Sequence, residues 1–195
     1  MTETRYWLAF NLAQGIGPVR TRSLLEHFGN LKDAWHASLS DLQRAGLDKR
    51  SIQNIVQSRE QLDLDRELAR LEQRGARLLG WDDEEYPSRL LEIADPPPAL
   101  YARGTIEATD EFAIAVVGTR LASPYGKEVA RQLTTELARN HVTVVSGMAR
   151  GIDLIAHQAA IDAGGRTIAV LGCGVDVVYP PEALRIAEQI VEHGA

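Results

Sequence analysis

Residues 142–153 read VTVVSGMARGID and join an apolar run to a turn that contains two glycines. The run 142–145 is typical of a buried strand, and a helix that starts at Ile152 would present unpaired backbone N–H groups toward the turn. Glycine at such a junction lets another molecule approach the main chain closely, and the helix dipole favours an anion there. The stretch therefore predicts a strand, a phosphate-binding turn and a helix in succession.

The alternation of strand and helix continues on both sides of this stretch. Apolar runs at 112–117 and 167–171 predict two more strands, and helices are predicted at 124–140, 152–163 and 181–193. Short apolar strands separated by helices of about a dozen residues favour a parallel sheet with right-handed crossovers. We therefore predict an α/β fold, a Rossmann-like parallel sheet with helices on both faces, which binds its ligands at the carboxyl ends of the strands.

The first 75 residues show helical periodicity instead of this alternation. Glycine-containing breaks divide them into five or so short helices, for which Ser40-Asp41 and Asp48 are suitable N-caps. Residues 51–74 favour one or two longer amphipathic helices. The tryptophans are expected in the core: Trp7, Trp35 and Trp81.

A third kind of sequence connects these two regions. A strand is predicted at 76–81, and the run Asp95-Pro96-Pro97-Pro98 marks a connection because proline fits neither a regular helix nor a central strand. We therefore expect a helical domain at 1–75, a strand and proline-rich connection at 76–111, and the sheet domain at 112–195.

Composition limits the classes of function. The 195 residues are 45% hydrophobic and carry a net charge of -6, with the acidic surplus after residue 75. Bulk electrostatics therefore does not favour nucleic acid, and any nucleic-acid site must be local. The single cysteine, Cys173, excludes an internal disulfide, and no apolar run is long enough to span a bilayer. We expect a cytoplasmic protein.

Glycines follow each predicted strand of the sheet domain. The first strand is followed by Gly118-Thr119-Arg120, the second by the segment 146–151, and the third by Gly172-Cys173-Gly174. A single glycine in such a place is typical of a tight turn, whereas three such turns at one edge, with hydroxyl groups and a guanidinium, indicate a pocket for a phosphodiester. The candidate nucleic-acid-binding residues are Gly118, Thr119, Arg120, Ser146, Gly147, Ala149, Arg150, Gly151, Gly172 and Gly174.

Two common nucleotide-binding patterns are missing from the sequence. The dinucleotide fingerprint Gly-x-Gly-x-x-Gly does not follow the first strand, and the Gly-x-x-x-x-Gly-Lys-Ser/Thr loop of nucleotide hydrolases does not occur. The glycine turns therefore predict a phosphate site of another type.

The three glycine turns together resemble the DNA-processing protein A family, also called DprA or Smf. The resemblance extends to Ala156-His157, Tyr179-Pro180 and Tyr86-Pro87, and the helical head resembles the family's sterile-alpha-motif-like (SAM-like) region. It implies a cytoplasmic, non-enzymatic protein of DNA processing and recombination that binds single-stranded DNA during competence and natural transformation, protects the incoming strand and helps to load RecA recombinase. Full-length members form homodimers, and we expect neither a metal nor a cofactor.

Carried over to this sequence, the resemblance implies that Arg120 pairs with one backbone phosphate and that the segment from Ser146 to Gly151 holds a second. Gly118 and Gly172 would let the DNA strand pass close. Such phosphate contacts do not depend on base sequence, which suits a protein that accepts any strand. Because family members continue through further strands, we expect this chain to be shortened at Ala195, before the segments that carry the dimer and RecA contacts.

Other interpretations remain open for several residues. Asp153 and His157 are four apart on one helix face, which suits an acid–base pair or metal ligands as well as a structural role. Arg150 either contacts DNA or is solvated, and Cys173 fits a turn better than it fits a nucleophile without a partnered base.

Two further alternatives concern the head and the whole chain. The turn Gly15-Ile16-Gly17-Pro18, with Arg20 and Arg22 nearby, resembles the DNA-gripping hairpin of helix-hairpin-helix modules and equally fits a plain helical turn. The alternative function is a nucleotide-processing Rossmann-like enzyme that acts on nucleoside monophosphates, although the Pro-Gly-Gly-x-Gly-Thr signature of that group is missing.

Overall fold

The computed structural model describes residues 3–195, so the first two residues of the predicted helical domain lie outside the described residues. The chain forms two compact units that meet in sequence between Tyr101 and Ala102. The strand at 77–80 and the proline-rich segment thus belong to the same unit as the helical head. The division into parts at residues 75 and 111 stays a prediction.

The first unit consists mainly of short helices. They are α1 (Thr4–Leu12), α2 (Pro18–Phe28), α3 (Leu31–His36), α4 (Leu39–Arg44), α5 (Lys49–Gln61), α6 (Leu64–Gln73) and α7 (Ser88–Leu91). Asp48 caps α5 as predicted, because its side chain accepts a hydrogen bond from the backbone N–H of Ser51. The N-cap predicted at Ser40-Asp41 is wrong. Ser38 caps α4 instead, since its hydroxyl accepts from the Asp41 N–H while Ser40 already lies inside the helix.

Aromatic side chains form much of the core of this unit. Phe10 and Trp35 meet edge to face with ring centroids 5.2 Å apart, and Trp7 meets Trp81 in the same way at 5.7 Å. Trp7 and Trp35 are buried and Trp81 packs against the same core, as predicted. Two strands, β1 (Arg77–Gly80) and β2 (Ala99–Ala102), form a small sheet.

The second unit contains a parallel sheet. Its strands are β3 (Ala113–Ala115), β4 (Thr143–Ser146) and β5 (Thr167–Ala169), and its helices are α8 (Pro124–Arg139), α9 (Ile152–Asp162) and α10 (Leu184–His193). The strand order is β3-β4-β5, with Ala113 opposite Thr143 and Val145 opposite Ile168. The α/β class predicted from sequence is confirmed. Among residues 3–195, no helix combines the length and apolar content that crossing a membrane requires.

Two predicted elements differ in detail. The strand predicted as buried over 112–117 covers three residues, and Ile114 within it is 46% exposed. The strand is exposed because β3 is an outer strand of this sheet within the described residues and pairs with β4 on one side. The helix predicted at 181–193 starts as a 3₁₀ turn at Pro181–Ala183 before α10 begins.

The core of the second unit holds β4 and α9 together. Val144, Ala156 and Ala160 are fully buried and belong to one apolar cluster. Alanines on the inner face let the helix approach the sheet closely. This packing fixes the turn that connects the end of β4 with the start of α9.

Candidate nucleic-acid interface

The loop after β3 lies directly against the start of α9. The backbone N–H of Ile152 donates to the carbonyl of Thr119 at 3.3 Å. A Cβ added to Gly118 would lie 2.6 Å from Cγ1 of Ile152, and one added to Gly151 would lie 2.2 Å from the Thr119 oxygen. The structure therefore brings the first two predicted turns together, and both glycines permit that contact.

Gly151 also has a backbone conformation that favours glycine. Its φ is +87° and its ψ is -123°, a combination that residues with a Cβ rarely adopt. The residue thus combines an unusual conformation with a close backbone neighbour. It is the junction at which the loop after β3, the loop after β4 and α9 meet.

The loop after β4 uses most of its polar groups within the chain. Ser146 is 2% exposed and its hydroxyl donates to the carbonyl of Val116 at 2.6 Å. The N–H groups of Gly147 and Ala149 both donate to Oδ2 of Asp153, at 3.1 and 3.3 Å. The carboxylate of Asp153 therefore occupies the place at the helix start where the sequence predicted a phosphate. Direct phosphate contact by Ser146, Gly147 and Ala149 stays a prediction.

Met148 anchors the middle of this loop. Its φ is +59°, which is uncommon for a residue other than glycine and costs about 1–3 kcal/mol. The side chain is buried and packs in an apolar cluster with Ala183 and Ile190. The free energy gained by burying this side chain offsets the cost of the strained backbone. The packing also fixes the loop against the region of α10.

Arg120 and Thr119 present unused hydrogen-bonding capacity at the same edge. Both residues are exposed, and among residues 3–195 no hydrogen bond or ion pair holds the guanidinium of Arg120. The Thr119 hydroxyl oxygen accepts a hydrogen bond from the N–H of Leu121 at 3.2 Å, which leaves its own hydrogen free to donate. These two side chains can therefore meet an anion without displacing a partner.

The loop after β5 is exposed around its glycines. A Cβ added to Gly174 would lie 2.7 Å from Oδ1 of Asp176, whereas one added to Gly172 would meet nothing within 4 Å. Packing within the described chain therefore gives no reason for glycine at position 172. Cys173 is exposed and its sulfur contacts the carbonyl of Val177 at 3.3 Å, in keeping with a residue of a turn.

Arg150 connects the second loop with the segment that follows the third. Its Nε donates to Oε1 of Glu182 at 2.6 Å, its Nη2 donates to Oε2 at 3.2 Å, and its Cζ lies 6.0 Å from the ring centroid of Tyr179. The hydrogen bonds and the opposite charge raise the pKa of Arg150 and lower that of Glu182. Sequence reasoning missed this contact because the pair is separated by 32 residues and no spacing pattern connects them.

Asp153 and His157 do not form an accessible acid–base pair. His157 is fully buried and its Nδ1 lies 2.7 Å from the hydroxyl of Thr167 in β5. Burial lowers the pKa of His157 to about 4, although the charge of Asp153 opposes that shift. Within the described residues, no cluster of three His, Cys, Asp or Glu side chains is arranged to hold a metal ion.

The arginines near the hairpin of the first unit also have partners. Arg20 donates to the carbonyl of Gly15 at 2.9 Å and to Oδ2 of Asp48 at 2.6 Å, and Arg22 lies over the ring of Trp81. The contacts of Arg20 hold the turn at Gly15 against the start of α5. DNA contact by this hairpin stays a prediction.

Comparison with known proteins identifies the family. Residues 77–195 match the family model described as DNA recombination-mediator protein A. The chain belongs to this family. Among DprA/Smf proteins, it is 36% identical over 200 residues to protein Smf from Synechocystis and 39% identical over 131 residues to DNA processing protein DprA from Bacillus subtilis. These alignments cover 99% and 67% of this chain but 50% and 44% of the relatives, so the chain spans about half of their length.

Solved DprA structures share the fold. The crystal structure of DprA from Streptococcus pneumoniae superposes with a TM-score of 0.78 at 30% identity, over 96% of this chain and 64% of that one. A DprA structure from Helicobacter pylori, which concerns that protein's single-stranded DNA binding mode, gives a TM-score of 0.54 at 32% identity, over 61% and 53% of the two chains. The helical head and the parallel sheet of the DprA/Smf chain are therefore both represented among known structures.

Proposed function

We propose that this chain binds single-stranded DNA through the loops at the carboxyl ends of β3, β4 and β5. The observation that carries the proposal is Arg120, an exposed guanidinium without a partner in residues 3–195, beside the free hydroxyl hydrogen of Thr119. The loop that bears them is fixed against α9 by the Ile152–Thr119 hydrogen bond. The single-stranded DNA binding of the Helicobacter pylori relative supports the same ligand here.

The proposed contacts are to the DNA backbone. Arg120 donates to one phosphate and Thr119 assists it, because charge-assisted hydrogen bonds to phosphate are strong and independent of base sequence. Gly172 and Gly174 let the strand pass close to the third loop, and Gly172 has open space where a side chain would be. Such local contacts suit a chain with a net charge of -6.

The remaining predicted residues divide into two groups in this proposal. Gly118 and Gly151 permit the contact between the first loop and α9, and Ser146, Gly147 and Ala149 hold the second loop in shape. Arg150 offers the N–H groups of Nη1 between the second and third loops, while its Nε and Nη2 remain bonded to Glu182. Direct phosphate contact by Ser146, Gly147 and Ala149 would require these three groups to exchange partners within the chain.

The biological role we propose is DNA processing during DNA uptake, in the cytoplasm and without catalysis. The names of the DprA and Smf relatives support this role. Protection of the incoming strand, loading of RecA and homodimer formation belong to the same proposal for the whole protein. The nucleotide-processing alternative receives no support from Asp153 and His157, because the first is engaged with backbone N–H groups and the second is fully buried.

A matched pair of variants tests the proposal. Fluorescence anisotropy with a labelled oligo-dT measures the affinity of the wild-type chain, of Arg120→Ala and of Arg139→Ala. Arg139 is the last residue of α8 and lies near the amino ends of the strands, away from the proposed site. It is exposed and has the same charge as Arg120. A lost charged hydrogen bond of about 1.5–3 kcal/mol predicts that Arg120→Ala binds at least about tenfold more weakly. Equal affinities of the two variants would contradict the proposal.

A further inference from the structure

An aromatic side chain stands beside the proposed phosphate site. Tyr179 follows the third loop and is 54% exposed. The guanidinium of Arg150, from the loop after β4, lies 6.0 Å from its ring centroid. Because β4 and β5 are parallel neighbours, the segments after them reach the same edge of the sheet, where ligands of such sheets bind.

Glu182 fixes the position of this guanidinium. It accepts hydrogen bonds from Nε and Nη2 of Arg150, at 2.6 and 3.2 Å, so that one edge of the planar guanidinium is held by the middle residue of the 3₁₀ turn. The Nη1 atom is left without a hydrogen-bond partner among residues 3–195 and can donate to an anion. A cationic donor and an aromatic ring are thus held side by side.

The chain itself makes little use of the exposed part of the Tyr179 ring. The ring contacts Arg150, and the apolar residues Val177 and Leu184, which are near it in sequence, are themselves about half exposed. Within the described residues, the Tyr179 hydroxyl takes part in no hydrogen bond. The side chain is therefore not part of a buried core, and its ring is accessible from solvent.

We propose that Tyr179 is a stacking platform for one nucleobase of bound single-stranded DNA, next to the phosphate-binding loops. This inference rests on the proposed function, because the strand must first be held by its backbone. A phosphate near Nη1 of Arg150 brings the attached base to the neighbouring ring. Stacking on an aromatic ring tolerates any base, since every base has a π-face, and therefore fits a protein that binds without sequence preference.

The test distinguishes the contribution of the bases to binding from that of the phosphates. Anisotropy is measured with a labelled oligo-dT and with an abasic oligonucleotide of the same length, which carries the same number of phosphates. The variants are Tyr179→Ala, Tyr179→Leu, which retains apolar volume without a ring face, and Tyr179→Phe. Phe112→Ala is the matched control, because Phe112 is an exposed aromatic residue (67%) immediately before β3, near the amino ends of the strands.

We expect Tyr179→Ala and Tyr179→Leu to weaken binding of oligo-dT by at least about fivefold and to leave binding of the abasic strand unchanged. Tyr179→Phe and Phe112→Ala retain wild-type affinity for both strands. An equal loss on both strands, or no loss on oligo-dT, overturns the stacking inference and leaves the proposed function standing. A wild-type chain that binds neither strand overturns both.

Discussion

Replacement of Gly151 by alanine should separate the loops that form the candidate interface. The residue combines φ of +87° with a neighbouring carbonyl oxygen, that of Thr119, 2.2 Å from the place where a Cβ would stand. The carbonyl carbon of Arg120 would be 2.8 Å away, so both neighbours belong to the backbone. Relief of the overlap requires movement of the whole loop after β3.

The size of the effect follows from comparison with Gly164. That glycine also has positive φ, +73°, but an added Cβ meets nothing within 4 Å. Gly164→Ala should therefore destabilise the fold by about 1 kcal/mol, because the left-handed conformation costs about 1–2 kcal/mol and the stiffer unfolded chain offsets part of it. Gly151→Ala adds to this cost the steric overlap with the loop after β3 and the loss of the Ile152–Thr119 hydrogen bond. The free energy of unfolding should therefore fall by about 3 kcal/mol in total.

Urea unfolding followed by circular dichroism measures the free energy of unfolding of the wild type and both variants. We expect the midpoint of Gly151→Ala to fall well below that of Gly164→Ala, with equal slopes. Binding of oligo-dT should weaken in Gly151→Ala alone, since Gly164 follows the distant end of α9. Equal stability of the two variants would refute the claim that the loop after β3 rests on the start of α9.

Two further predictions concern α9. Because the folded state keeps His157 neutral with a pKa of about 4, the unfolded state binds the proton first, and the wild type should lose about 3 kcal/mol of stability as the pH falls from about 6.5 to about 4. Unfolding midpoints at several pH values test this, and a His157→Gln variant with the same pH dependence would contradict it. Asp153→Ala leaves the N–H groups of Gly147 and Ala149 without their acceptor and should destabilise the chain by about 1–3 kcal/mol. Faster hydrogen exchange at these two amides is expected, and unchanged protection there would disprove the assigned contact.

The parts of the fold that depend on local pattern were predictable from sequence. The apolar run ending at Val145, the glycine at position 151 and the helix from Ile152 define the β4–α9 junction without reference to distant residues. The edge position of β3 was not predictable in this way, because an apolar run such as 112–117 favours burial whether or not a neighbour covers it. The short strand β2 had no periodic signal after the prolines that precede it.

The candidate site likewise has features that the sequence predicts and contacts that it does not. Its three glycine turns could be predicted because each follows a strand. The structure shows that Gly118 and Gly151 both permit the close contact between the loop after β3 and the start of α9. The contacts of Thr119 with Ile152 and of Arg150 with Glu182 join residues about 30 positions apart, so periodicity does not reveal them. Asp153 accepts hydrogen bonds from two backbone N–H groups, and this contact depends on the exact course of the loop. Met148 fixes that course through long-range packing.

The most direct test of the account is a salt titration of the wild-type chain with a labelled oligo-dT. Local phosphate contacts predict saturable binding whose logarithmic affinity falls linearly with the logarithm of the salt concentration, by about 0.7 for each phosphate contacted. Arg120→Ala should lower this slope by about that amount, since one contact is removed. Absence of wild-type binding at about 20 mM salt, or a slope that Arg120→Ala leaves unchanged, would contradict the claim that these loops hold a DNA backbone.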